Sequence, residues 1–203
     1  MKREIFLALS VVSLALFASG CFNKSGVPLS SPEAAQPDKS LAGAWYGVVE
    51  GRDVYLHVIP YPDMEPEKKA WMRLVHVIHP KNGAAASGRG EEAIILNMFP
   101  TVAGGRKFMN ILFRKPEQTE GAACEIEEYY WFWKYEVSRD GVLTVWELDD
   151  ETIRLALENE KLKGRYRKVS IYLEDSSEHI LAYLLSDEGQ KAFRLYGQFK
   201  KIR

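Results

Sequence analysis

From Leu41 to the end of the chain, short runs alternate apolar and polar residues, with turn-forming residues between them. Side chains of an extended segment point to opposite faces with a period of two, so each run reads as a strand with one face in a core. Ala44–Glu50 and Asp53–Pro60 flank Gly51-Arg52, where the glycine accepts the positive φ of a tight hairpin. Ala70–His79 follows Pro60–Lys69, a loop whose three prolines forbid a central strand. Glu91–Phe99 and Lys107–Arg114 are separated by a stretch containing Gly104-Gly105. Glu127–Val137 and Val142–Leu148 bracket Ser138-Arg139-Asp140-Gly141, whose Asp-Gly pair is a hairpin signal.

After this meander the pattern changes. Asp149 or Asp150 can cap a helix with Ile153, Ala156 and Leu157 on its apolar face. Asp175-Ser176-Ser177-Glu178 has capping-box spacing ahead of a helix carrying Ile180, Leu181, Leu184 and Leu185. Arg167–Leu173 between them reads as a strand, and Ala192–Ile202 as a closing one. The expected fold is mainly β: a closed or nearly closed antiparallel β-barrel of about eight to nine strands with two short helices in its C-terminal half, because closure removes the edges a long meander exposes.

The first forty residues follow other rules. Lys2 and Arg3 precede Ile5–Phe17, an apolar run broken only by Ser10 and Ser13. That run suits the apolar region of a secretory signal and falls short of the ~20 residues that span a bilayer. Ala18-Ser19-Gly20 and then Cys21 resemble a bacterial lipobox, with Ala18 where leucine is more usual. The resemblance implies a lipoprotein signal peptide over residues 1–20, acylation of the Cys21 thiol and cleavage of the bond before it, so that the membrane is a partner. Each buried CH₂ of such chains contributes about 0.8 kcal/mol, which makes a multiply acylated cysteine a stable anchor. Phe22 is not the aspartate that retains lipoproteins in the inner membrane of enteric bacteria. The expected placement is therefore the outer membrane, lipid-anchored, with the domain facing the periplasm; inner-membrane and surface-exposed placements stay open. Residues 21–40 contain Pro28, Pro32 and Pro37 with no apolar period, and read as the lipidated cysteine and a flexible tether. A coil of that length has an r.m.s. span on the order of 25 Å. Residues 41–203 are the expected barrel domain.

Charge bounds the partners. Lys+Arg 27 against Asp+Glu 28, with no basic block, offers nothing to nucleic acid. The two cysteines cannot make a disulfide scaffold, and Cys124, beside Glu125, Glu127 and Glu128, is disfavoured as a thiolate but available to pair with another chain. His76 and His79 fall on opposite faces of a strand, and neither His57 nor His179 has ligand-spaced neighbours, so no metal and no cofactor are expected. Gly83–Gly90 lacks the Lys-Ser/Thr ending of a phosphate cradle, and no Gly-x-Ser-x-Gly or His-Glu-x-x-His is present. No catalytic residues are assigned, and the chain is expected not to be an enzyme.

Tyr129-Tyr130-Trp131-Phe132-Trp133-Lys134-Tyr135 is the most unusual stretch. In a strand, Tyr129, Trp131, Trp133 and Tyr135 share one face, while Glu128, Tyr130, Phe132, Lys134 and Glu136 share the other. The charges mark the second face as outer. The four inward aromatics are either the wall of a cavity for a lipid, a sugar or a planar ligand, or simply the filling of a small barrel. Tyr130 and Phe132 would be covered by a C-terminal helix or form a contact surface.

Leu41-Ala42-Gly43-Ala44-Trp45 is similar to the Gly-x-Trp opening of lipocalins. The resemblance implies that Gly43 and Trp45 form a barrel floor, with a basic side chain over the tryptophan from Lys200, Lys201 or Arg203. Leu143–Asp150, leading into Ile153 and Leu157, resembles uncharacterised lipocalin-like lipoproteins of bacteria, in which strand, short helix, strand, helix and final strand follow in this order. Helices between the last strands depart from the simple lipocalin order. The expected function is that of a membrane-anchored envelope lipoprotein whose lipocalin-like barrel binds a small apolar or amphipathic ligand without catalysis. The alternative is a solid barrel serving as an envelope protein-interaction or structural module.

Overall fold

A computed structural model describes residues 23–61, 69–79, 92–114, 128–167 and 170–202. In chain order it contains β1 (Asn23–Ser25), β2 (Gly43–Val49), β3 (Arg52–Pro60), β4 (Met72–His79), β5 (Glu92–Ala103), β6 (Arg106–Arg114), β7 (Glu128–Val137) and β8 (Val142–Leu148). Then follow α1 (Asp150–Glu158), β9 (Gly164–Arg167), β10 (Ser170–Leu173), α2 (Ser177–Leu185), α3 (Asp187–Lys191) and β11 (Phe193–Lys201). The seven strands β2 to β8 pair antiparallel, each with the next. β11 inserts antiparallel between β8 and β2, and β6–β7 pairing completes a closed eight-stranded antiparallel barrel. The period-two reading of the sequence is the reason: each strand can bury one face only against the others, and eight strands leave an interior that side chains can fill.

Local chemistry sets the hairpins. Glu50 and Gly51, at φ 50° and 71°, both adopt the left-handed conformation that a two-residue turn between twisted strands requires. The turn therefore falls on Glu50-Gly51, one residue before the Gly51-Arg52 read from the sequence. Gly104 and Gly105 repeat the device between β5 and β6. Asp149 caps α1 by accepting from the Thr152 backbone N–H at 2.9 Å. At α2 the cap is Ser176, while Asp175, the residue in the Ser/Thr place of the capping box, bonds the His179 ring at 2.6 Å instead.

Two cores lie on either side of one wall. Leu56, Met98, Ile111, Val145 and Phe199 are among the residues buried inside the barrel. Phe108, Phe132 and Leu148 point outward and pack under Ile153, Ile171, Ile180 and Leu184 from the outer layer. Helices of nine residues such as α1 and α2 are marginal alone, so this packing is what holds them. Phe132 and Tyr130 are thus covered by the C-terminal elements and by the N-terminal segment.

The closed antiparallel barrel is as expected, with eight strands; among the described residues three more strands lie outside it, and there are three helices and not two, because Ser186 caps an additional one, α3. Two further expectations need correction. Of the strand expected at Arg167–Leu173, Ser170–Leu173 forms β10, and Arg167 instead ends a separate strand, β9; the two are an antiparallel pair off the barrel, with β1 parallel to β10 and joined to β7 at Ser25–Tyr130. The second is the tether. It is docked over Asn23–Ser30 and at Asp38, with Ser31–Pro37 largely exposed between them: Leu29 is buried, its N–H donates to Asn110 Oδ1 at 2.7 Å, and Ser30 Oγ lies 2.6 Å from Thr101 Oγ1. Asn110, itself fully buried on the outer face, spends its amide N–H groups on Phe99 O and Thr101 Oγ1, so every polar group of this contact is satisfied. The signal segment and Cys21, Gly83–Gly90 and Cys124 lie outside the described residues.

Candidate functional site

The barrel has two unlike ends. At one, Trp45 on β2 is 1% exposed and its indole N–H donates to Leu41 O at 2.8 Å. Lys201 Nζ from the end of β11 sits 5.2 Å from its ring centroid. The lysine stem crosses Gly43 so closely that a Cβ there would lie 2.7 Å from Lys201 Cε, and Gly43 has φ 131°, which L side chains rarely adopt. The arriving N-terminal segment adds a polar plug: Asp38 accepts from Lys107 Nζ at 2.8 Å and from the Tyr135 hydroxyl at 2.9 Å. Partial burial works against the Asp38 charge, but the bonds from Lys107, Ser40 and Tyr135 outweigh it and hold the carboxyl at about 2. This end is closed.

The opposite end is lined by rings. Phe113 of β6 stacks on Tyr129 at 4.9 Å and on Trp131 at 5.3 Å between centroids. Trp133 stacks on Tyr196 of β11 at 5.0 Å and meets His76 of β4 edge-on at 6.1 Å. A bulge between Leu195 and Gly197 turns Tyr196 inward, where its hydroxyl lies 2.8 Å from His76 Nε2. Burial, aided by the Arg52 charge, pulls His76 down to about 4, and burial pushes the Tyr196 phenol up, so the pair is neutral at ordinary pH. Glu147 pairs with Trp133 across β7–β8 and so shares its inward face. Arg194 on β11 donates to it at 2.9 Å, yet burial still raises the Glu147 pKa. Trp133 and Tyr129 are buried like Leu41, Trp45 and Tyr135 at the floor, whereas His76, Ile78, Phe113, Trp131 and Tyr196 keep partial access to solvent.

Of the four aromatics read from the sequence as one wall, the structure brings Tyr129, Trp131 and Trp133 to this open end. Tyr135 belongs to the floor, held by Asp38. Cys21 lies outside the described residues, and Gly43 and Trp45 are at the floor. Sequence reasoning weighed His76 only as a metal ligand and missed Tyr196, Glu147 and Arg194. His76 was legible, since it alternates with Leu74 and Ile78. Tyr196 was not, because a bulge breaks the alternation that would place it. The arrangement offers stacking surfaces, one neutral His–Tyr pair and one ion pair. Among the described residues, no group of three or more potential ligands could hold a metal ion, and no helix is long and apolar enough to cross a membrane.

Two concavities among the described residues lie on the outside of the barrel. One, about 390 Å³, lies between β6, β7, β8 and Gln190 of α3; the other, about 310 Å³, lies between β7, β10 and Gly26-Val27. Fold and site together define a closed antiparallel β-barrel with one plugged end and one aromatic-lined end. Compared with protein-family models, curated proteins and solved structures, the chain matches none.

Proposed function

We propose that this chain is an envelope lipoprotein, anchored in the outer membrane through an acylated Cys21, whose lipocalin-like barrel binds a small apolar or amphipathic ligand without catalysis. The observation that carries the binding reading is the asymmetry of the barrel: a floor packed around the buried Trp45 and Tyr135, and the partly accessible rings of Phe113, Trp131 and Tyr196 at the other end. Stacked aromatic faces suit an apolar body, and the His76–Tyr196 and Glu147–Arg194 pairs suit a polar end. The ligand would occupy a shallow cup at the barrel mouth. The Gly43-Ala44-Trp45 opening with Lys201 over the indole supports the lipocalin resemblance. The lipobox and Phe22 support the anchor and the outer-membrane placement.

Solvent extraction of the purified full-length protein, read by mass spectrometry, tests the binding. A bound apolar molecule should be recovered from the wild type and depleted from Trp133→Ala. Clean extracts from both sink the binding reading. One observation favours the second reading, a protein-interaction module: the outer wall of β2–β5 exposes Val48, Ile59 and Ile95 at 56%, 50% and 65%. Clean extracts together with co-purification of an envelope protein would shift the conclusion there.

A further inference from the structure

The larger outer cleft carries an unbalanced charge. Arg106, Lys107, Lys134 and Glu136 line it, together with Trp146 and Gln190. Lys107 is neutralised by Asp38, and Glu136 is exposed to solvent. Among the described residues, neither Arg106 nor Lys134 forms an ion pair. Both are half-buried, so their charges are only partly screened by water. Burial first and then the neighbouring Arg106 guanidinium lower the pKa of the Lys134 ammonium, and the Glu136 charge offsets only part of this.

The cations are also held in place. Gln190 donates its amide N–H to Leu184 O, which orients its Oε1 to accept from Lys134 Nζ at 3.2 Å. The same ammonium sits 4.7 Å from the Trp146 ring centroid and 4.9 Å from that of Phe193. Arg106 donates one N–H to Leu185 O at 3.3 Å, leaving donors of its fork for another acceptor. The cleft volume of about 390 Å³ is in the range of small-ligand sites.

We propose that this cleft binds a small organic oxyanion, its carboxylate or phosphate between Arg106 and Lys134 and its planar or apolar body against Trp146. An oxyanion would satisfy the guanidinium fork and the ammonium together, which a neutral ligand cannot. The site is separate from the barrel mouth, and does not depend on the ligand proposed there.

The test is an NMR titration of the full-length protein, reading the Trp146 indole N–H, with benzoate and phenyl phosphate as probes and benzyl alcohol as the neutral control. Either anion should give a saturable shift, with the Trp45 indole unmoved. Arg106→Gln and Lys134→Met should each weaken binding by at least about tenfold, because each removes one of two charge-assisted contacts. Arg106→Gln changes a half-buried rim residue and keeps the assay decisive if Lys134→Met disturbs the rings it packs on. Equal binding of benzyl alcohol, unchanged affinity in Arg106→Gln, or no saturable shift by about 10 mM anion would overturn the proposal.

Discussion

Lowering the pH should loosen this protein through one imidazole. His76 sits inside the barrel with its Nε2 on the Tyr196 hydroxyl, and burial pulls its pKa from the ordinary 6.5 down to about 4. The unfolded chain takes up this proton near 6.5, whereas the native protein resists until about 4. Between those values the unfolded state binds more protons, so stability falls as the pH falls. The slope approaches ~1.4 kcal/mol per pH unit, and the loss between pH 7 and pH 4.5 comes to about 2–3 kcal/mol. Other titrating groups contribute too, so the informative quantity is a difference. His76→Gln keeps a group that can bond Tyr196 and does not titrate. Urea denaturation of both proteins across this range should show the wild-type midpoint sliding by about 1 M relative to the variant, for an m-value near ~2 kcal/mol per M. A pH-independent difference between the two would show that His76 is not held neutral in the barrel, and the reasoning about the open end would fail with it.

Trp45→Ala should cost about 3–5 kcal/mol, as core tryptophan truncations do, whereas Lys201→Met, which keeps the stem over Gly43, should cost about 0.5–2 kcal/mol; chemical denaturation that reversed this order would refute the floor geometry. Leu29→Ala should destabilise the domain by about 2–5 kcal/mol, while a freely moving tether would give a change within about ±0.5 kcal/mol by the same assay. Cys21→Ser should leave the domain folded and move it to the soluble fraction, and a processed mutant that still pelleted with membranes after a high-salt wash would contradict acylation as the anchor.

The meander was readable because alternation, turn residues and helix caps agree with one another over Ala44–Leu148. What escaped was long-range. Asn23–Ser40 looks like a linker because it has few apolar residues, yet Leu29 and Asp38 are fixed by Asn110 and by Lys107 with Tyr135, partners far along the chain. Alternation told which β7 side chains face inward but not their height in the barrel, so Tyr135 was grouped with Trp131 and Trp133 although it serves the floor. The exposed turn Glu50-Gly51 slipped by one residue because either register leaves glycine in the loop.

The docked segment changes what an anchor on Cys21 would mean. With β1 starting at Asn23, only Phe22 separates the proposed lipid from the fold, and two residue links reach at most about 7 Å. The described chain enters the fold where the Asn23 amide bonds Leu148 O, at the end of β8, and Asp150 at the start of α1. A protein mounted this way has no reach. It would sweep no volume above the bilayer, its orientation would be set by its own packing, and whatever it meets would have to arrive at the lipid surface.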